Sequence, residues 1–175
     1  MNLRQIGAPQ VIQAPAKVNL FLEVFGRRDD GYHELETLLV PVRLYDSLCF
    51  AAMSAGQDGS AGPLELHVST SGGQSILRPL EDVPTDRTNL VIRALELLRE
   101  QSGCRFGAVV DLVKRIPISA GLGGGSSDAA AALRLANRGW NIGFNDLQLS
   151  ELGAQLGSDV PFFLAISPAV CRGRG

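Results

Sequence analysis

The sequence is short of the residues from which metal sites and disulfide frameworks are built. It holds three cysteines, Cys49, Cys104 and Cys171, and two histidines. No Cys/His spacing among them suits zinc. An odd number of widely separated cysteines argues against a disulfide framework, and a reduced, cytoplasmic compartment is the simplest expectation. An excess of one charge is missing too. The net charge is −2, and Arg27-Arg28 and Lys114-Arg115 are the only adjacent basic pairs. That leaves no track for a nucleic acid. Gly, Pro or a charged residue interrupts every apolar run, so neither a membrane span nor a signal peptide is expected. There is no internal repeat and no low-complexity tract. What remains is 45% hydrophobic and 19% charged residues over 175 positions, enough for one domain with a proper core or two small ones.

Residues 1–10 read as a loose lead-in. Val18, Leu20, Leu22 and Val24 alternate with Asn19, Phe21, Glu23 and Phe25, which is a strand pattern, and Arg27 to Gly31 is a turn. Residues 35–42 and 47–53 read as further strands, with Pro41 arguing for an edge or a break. A loop over 54–63, a strand over 64–68 and an irregular connection over 70–87 follow. Asn89 to Gln101 has helical spacing, with Gly103 at the C-cap position. Residues 108–113 form a strand, and an Ala-rich helix runs from about Ser127 to Asn137. Trp140 reads as a packing residue and His67 as structural or exposed. Asp146 can cap a helix over 147–156. Gly157 to Pro161 turns out of it, and Phe162 to Ile166 reads as a short apolar strand. Strands dominate early and helices late, which predicts an α+β domain and not a doubly wound array.

One segment carries chemistry by its composition. Lys114-Arg115-Ile116 leads from the strand into Pro117, Ile118, Ser119, Ala120, Gly121, Leu122, Gly123, Gly124, Gly125, Ser126 and Ser127, directly before the Ala-rich helix. Strand, glycine loop and helix together make a phosphate cradle. Glycines let consecutive N–H groups turn into one concavity, and the helix start adds free N–H groups and a positive dipole end. Ser126 and Ser127 offer one hydroxyl to cap the helix and one to face phosphate or Mg²⁺. Neither the Walker A spacing nor the dinucleotide fingerprint is present. Asp128 would repel phosphate if it faced the nucleotide, so it must point away or act through Mg²⁺. A flexible surface turn is the bland alternative; four glycines, two serines and an immediate helix weigh against it.

Pro117 to Ala130 resembles the ATP loop of the superfamily of galactokinase, homoserine kinase, mevalonate kinase and phosphomevalonate kinase. Ala14-Pro-Ala-Lys-Val-Asn-Leu-Phe-Leu22, Gly31-Tyr-His33 and Gly157-Ser-Asp-Val-Pro-Phe-Phe163 are similar, within it, to the 4-diphosphocytidyl-2-C-methyl-D-erythritol kinases. The resemblance runs from about residue 12 to the end. It implies a kinase domain like domain 2 of ribosomal protein S5, with a ferredoxin-like C-terminal domain missing from this chain, and ATP and Mg²⁺ as cofactors. Lys17 and Asp159 match the two catalytic positions. Asn19, Tyr32 and His33 match the region that holds the cytidine-bearing substrate. Asn89 and Lys114 match positions near the adenine.

On that reading an alcohol attacks the γ-phosphorus of ATP, Asp159 accepts its proton, and Lys17 holds Asp159 and offsets phosphate charge. The expected partner is a small molecule, a cytidine diphosphate-linked methylerythritol, and neither a nucleic acid nor a membrane. Unaided by the resemblance, Lys17 reads as a solvated lysine and Asp159 as a turn residue. Two alternatives stay open: a related kinase for homoserine, mevalonate or a sugar, and a nucleotide-binding module without activity.

Overall fold

The computed structural model describes residues 4–27, 31, 33–70 and 83–174. Two long strands, β1 (Gln5–Arg27) and β2 (His33–Met53), pair antiparallel along their whole length, from Gln5 opposite Met53 to Arg27 opposite His33. The expected lead-in is thus corrected: Gln5 to Gln10 belong to β1. Their side chains are largely exposed, so no alternation marks them. What recruits them is the row of backbone groups along Phe50 to Met53, which would otherwise go unpaired.

β2 runs straight through Pro41 but changes partner there. Residues 34–39 pair with β5 (Ala169–Arg174), and residues 47–53 with β4 (Gly107–Lys114). Pro41 falls in the gap between these two partners, where its missing N–H removes no ladder bond. β3 (Leu64–Thr70) lies parallel to β4, joined to it through helix α1 (Leu90–Ser102). Among the described residues this is the single βαβ crossover of an otherwise antiparallel sheet of order β1-β2-β4-β3. α1 starts on an Asn89 cap, whose side chain accepts from the Val91 N–H, and ends at Gly103 in the left-handed conformation (φ 68°).

α2 (Gly124–Gly139) is the central helix, in contact with β1, β2, α1, α3 and α4. It begins three residues before the expected Ser127, and its N-cap is Gly123, not a serine. Glycine's poor intrinsic propensity hides such a start; packing against the sheet overrides it. Ala129 to Ala132 are all buried, because only methyl groups fit where this helix meets its neighbours. At the other end, a Cβ on Gly139 would stand 2.4 Å from the Phe50 ring. Trp140 packs edge-on to Phe50, with ring centroids 5.8 Å apart, and its indole N–H donates to the Gly107 carbonyl at 2.9 Å. The packing role expected of Trp140 holds.

α3 (Asp146–Leu156) is capped by Asn145 in a reciprocal capping box with Gln148, so Asp146 lies in the first turn and is not the cap. The expected strand over Phe162 to Ile166 is also corrected. Val160–Ala165 is a short helix, α4, with Pro161 in its first turn and Ile166 in the left-handed conformation at its end. A five-residue apolar run has no period to betray its type, and Pro161 is the start signal that decides it.

The core lies between the helices and one face of the sheet. Leu48, Phe50 and Ala52 of β2 and Ala108, Val110 and Leu112 of β4 alternate into it. The far end of the β1–β2 hairpin is different: Leu20, Leu22, Val24 and Phe25 are all more than half exposed.

Candidate active site

The glycine loop adopts a nest. Ser119, Gly121 and Gly123 have φ of 59°, 74° and 71°, and the residues between them do not. A left-handed residue at every second position turns successive N–H groups toward one side, the geometry that cradles anions. Gly123 is required twice over. Its φ disfavours any side chain, and a Cβ would stand 2.8 Å from Phe163 and 3.1 Å from the Lys17 side chain. The amides of Gly124, Gly125 and Ser126 open α2 and lack helical carbonyl partners. They line a cavity of about 380 Å³ together with Val83, Pro84, Thr88, Asn89, Leu90, Lys114 and the loop from Pro117 on.

On the other side of the loop the Lys17 backbone N–H donates to the Leu122 carbonyl at 2.9 Å, which fixes β1 to the cradle. Lys17 Nζ lies 3.5 Å from Asp159 Oδ2, with the side chains 9% and 35% exposed. Nζ also donates to Asn19 Oδ1 at 2.6 Å. Asn19 Nδ2 donates to the Thr37 hydroxyl at 2.8 Å, and that hydroxyl donates to the Phe21 carbonyl at 2.7 Å. Lys17 is thus held by a relay across the hairpin while Asp159, at the start of α4, stays open to solvent on one side. Cys171 faces the same region. Burial, and then the charge of Asp159, raise its thiol pKa above the ordinary value, so it stays a neutral thiol.

Beneath the loop lies a second charged group. Lys114 Nζ donates to Asp46 Oδ2 and to Asp128 Oδ2, the latter at 2.7 Å. Asp46 Oδ1 accepts from the backbone N–H groups of Arg115 and Ile116, from Ile116 at 2.9 Å. All three side chains are buried. Burial pushes the Asp128 carboxyl up from 3.8 to about 7; Lys114 opposes the rise and Asp46 adds to it. Burial also works against the Lys114 ammonium, but Asp128 and Asp46 outweigh it and hold the pKa above the ordinary lysine value.

The family profile "GHMP kinases N terminal domain" matches residues 89–165, from the cap of α1 to the end of α4. A relative from Pelotomaculum thermopropionicum, "4-diphosphocytidyl-2-C-methyl-D-erythritol kinase", is 48% identical over 93% of this chain and 51% of its own length. A crystal structure of 4-(cytidine 5'-diphospho)-2C-methyl-D-erythritol kinase superposes with a TM-score of 0.70 at 41% identity, over 94% of this chain and 52% of that one. The chain belongs to the GHMP kinases. Its α+β architecture is the GHMP kinase fold, and the mevalonate kinase of Methanococcus jannaschii shares that fold at 16% identity, with a TM-score of 0.61 over 96% of this chain and 54% of that one. The chain spans about half the length of the curated relatives it matches.

Within this GHMP kinase domain, the expected residues fall into three groups. Lys17, Asn19 and Asp159 meet, and the nest from Pro117 to Ser126 joins Asn89 and Lys114 around the cavity. Asn89 and Lys114 each have other commitments there: Asn89 caps α1 and donates to the Pro84 carbonyl at 2.6 Å, and Lys114 lies between two aspartates. Ser127 is buried and its hydroxyl has no partner among the described residues. His33 is not brought to this centre. It pairs with Arg27, eight residues along β2 from the Pro41 that faces Lys17, about 26 Å at the rise of a strand. Tyr32 lies outside the described residues.

Asp46, Thr37 and Cys171 were not expected. Asp46 had a signal: it shares its face of β2 with Leu48, Phe50 and Ala52, and a carboxylate on a core-facing position needs a buried cation. Among the described residues no helix is long and apolar enough to cross a membrane, and no three His, Cys, Asp or Glu side chains are grouped to hold a metal.

Proposed function

We propose that the protein transfers the γ-phosphoryl group of ATP to the 2-hydroxyl of 4-diphosphocytidyl-2-C-methyl-D-erythritol, and that residues 1–175 supply its nucleotide-binding and catalytic domain. The observation that carries the reading is the Lys17–Asp159 pair, 3.5 Å apart and tied to the anion nest through the Lys17 N–H and the Leu122 carbonyl. The relatives named for this activity support it, at 41% to 48% identity over most of the chain.

The residues present fit a nucleoside triphosphate. The cavity between Asn89 and the loop takes the base, and the nest with the α2 N-terminus takes the phosphates. Mg²⁺ keeps mostly water and phosphate oxygens as ligands, so the lack of a carboxylate cluster among the described residues does not conflict with it; the Ser126 hydroxyl is the candidate protein ligand. When bound, the metal supplies neutralisation of phosphate charge. Asp159 accepts the hydroxyl proton as the new O–P bond forms and the bond from the γ-phosphorus to the β,γ-bridging oxygen breaks, releasing ADP. Lys17 orients Asp159 and stabilises charge that develops on the transferred group. Asn19 and Thr37 keep Lys17 in place. The resemblance assigns Tyr32 and His33 to the cytidine end of the substrate.

An assay of the full-length protein with ATP and paired acceptors tests this. The cytidine diphosphate-linked alcohol should be phosphorylated in preference to methylerythritol, mevalonate and homoserine. Preference for an unlinked alcohol would overturn the substrate assignment and leave the kinase assignment standing; turnover of none of the acceptors would overturn both.

A further inference from the structure

The group beneath the loop has no part in the phosphoryl transfer described above, yet it touches the loop at both ends. At the entry, Asp46 accepts from the amides of Arg115 and Ile116, the last two residues before Pro117. At the exit, Asp128, one turn into α2, accepts from Lys114 Nζ at 2.7 Å. Lys114 joins the two carboxylates, and its Nζ lies 3.3 Å from the point where a Cβ on Gly124 would stand. The lysine therefore runs directly under the first turn of the helix.

Between these anchors the loop has little to hold it. Among the described residues, its backbone ties outside the helix are the Leu122 carbonyl on Lys17 and the Ser127 amide on Gly123. Ser119, Gly121 and Gly123 must nonetheless keep left-handed φ for the nest to exist. Burying three charges is a poor way to gain stability alone, since apolar side chains of the same volume serve as well or better. Buried ionic groups do fix geometry, because their partners and directions are specific. We propose that Asp46, Lys114 and Asp128 are positioning residues that hold the two ends of the nucleotide loop at the spacing that forms the nest. This rests on the nucleotide reading given above.

The test uses the full-length protein, with ATP in the presence of Mg²⁺ as the probe for calorimetry, and amide hydrogen exchange without nucleotide. In the unliganded wild type the Arg115 and Ile116 amides should exchange slowly. Asp128→Ala should weaken ATP binding about tenfold or more, raising KM for ATP by a larger factor than it lowers kcat, and should speed exchange through residues 118–123. Asp128→Asn, whose amide oxygen still accepts from Lys114, should stay within about threefold of wild type. Asp128→Ala binding within twofold of wild type would overturn the proposal, and so would Asp128→Asn as weak as Asp128→Ala. If Asp128→Ala does not fold, wild-type exchange decides. Arg115 and Ile116 amides exchanging at the rate of an unstructured chain overturn the proposal, and slow ones uphold it. A wild type that binds no ATP overturns the nucleotide reading instead, and leaves the exchange result to judge the anchoring.

Discussion

Lys17 and Lys114 both end on carboxylates, one on each side of the glycine loop, but their surroundings are opposite. Lys17 meets Asp159 at 3.5 Å, loosely, with the carboxylate 35% exposed. Lys114 is clamped between Asp46 and Asp128, and neither of those is exposed beyond a few per cent. A group that must take a proton from an incoming alcohol needs an open side and an unfilled lone pair. A group that only fixes geometry works best sealed, with its cation bonded to both carboxylates. On the proposed reading, burial divides the same pair of residue types into a chemical site and a scaffold. Substitutions at the first should remove turnover and spare the fold; substitutions at the second should weaken the fold and reach turnover only through nucleotide binding.

The largest effect should come from Lys17. In the full-length protein Lys17→Met is expected to lower kcat by about 10³-fold, with the melting temperature close to wild type; a comparable loss of stability would erase the contrast. Asp46→Ala should do the reverse. It leaves the Arg115 and Ile116 backbone N–H groups without their acceptor and Lys114 with Asp128 as its remaining carboxylate, and should destabilise the fold by about 2–5 kcal/mol in denaturant titrations. Gly123→Ala tests the wall shared by the two regions. The forced left-handed φ and the approach to Phe163 should cost about 1–3 kcal/mol and weaken ATP binding in the same variant.

The smallest effect is one of pH. Asp128 is raised to about 7 in the fold, so the native state binds the proton more tightly than the unfolded chain does. The stability this gives is complete below about pH 3.8 and is lost as pH rises through about 7. Between pH 4 and 7 this group should lower the melting temperature by on the order of 5 °C. Asp128→Asn should flatten that part of the profile relative to wild type. An unchanged slope would show that the buried cluster carries no titrating carboxyl in this range.

Much of this division was legible in particular residues. The strand–glycine–helix order around Gly121 to Gly125 predicted the anion cradle, and the structure adds the alternating φ signs that no composition states. The alternation from Val18 to Val24 predicted a strand, but alternation cannot say which face is covered: Leu20 is 66% exposed. Asp46 was missed because a lone aspartate between Tyr45 and Ser47 reads as turn chemistry, although its parity with Leu48 and Phe50 places it inside. Ser126 and Ser127 looked like caps because serine favours that position, but the cap must take the left-handed φ of Gly123, which glycine alone adopts freely. The partners of Lys114, 68 and 14 residues away in the chain, were not legible, because long-range ion pairs leave no local periodicity.

The central claim is that Asp159 performs chemistry and is not merely a turn residue at the start of α4. It is tested most directly by Asp159→Asn in the full-length protein, measuring kcat with the cytidine diphosphate-linked alcohol alongside the ATP dissociation constant. The account predicts a fall in kcat of about 10³-fold with ATP affinity within about twofold of wild type. Turnover near the wild-type rate would contradict it.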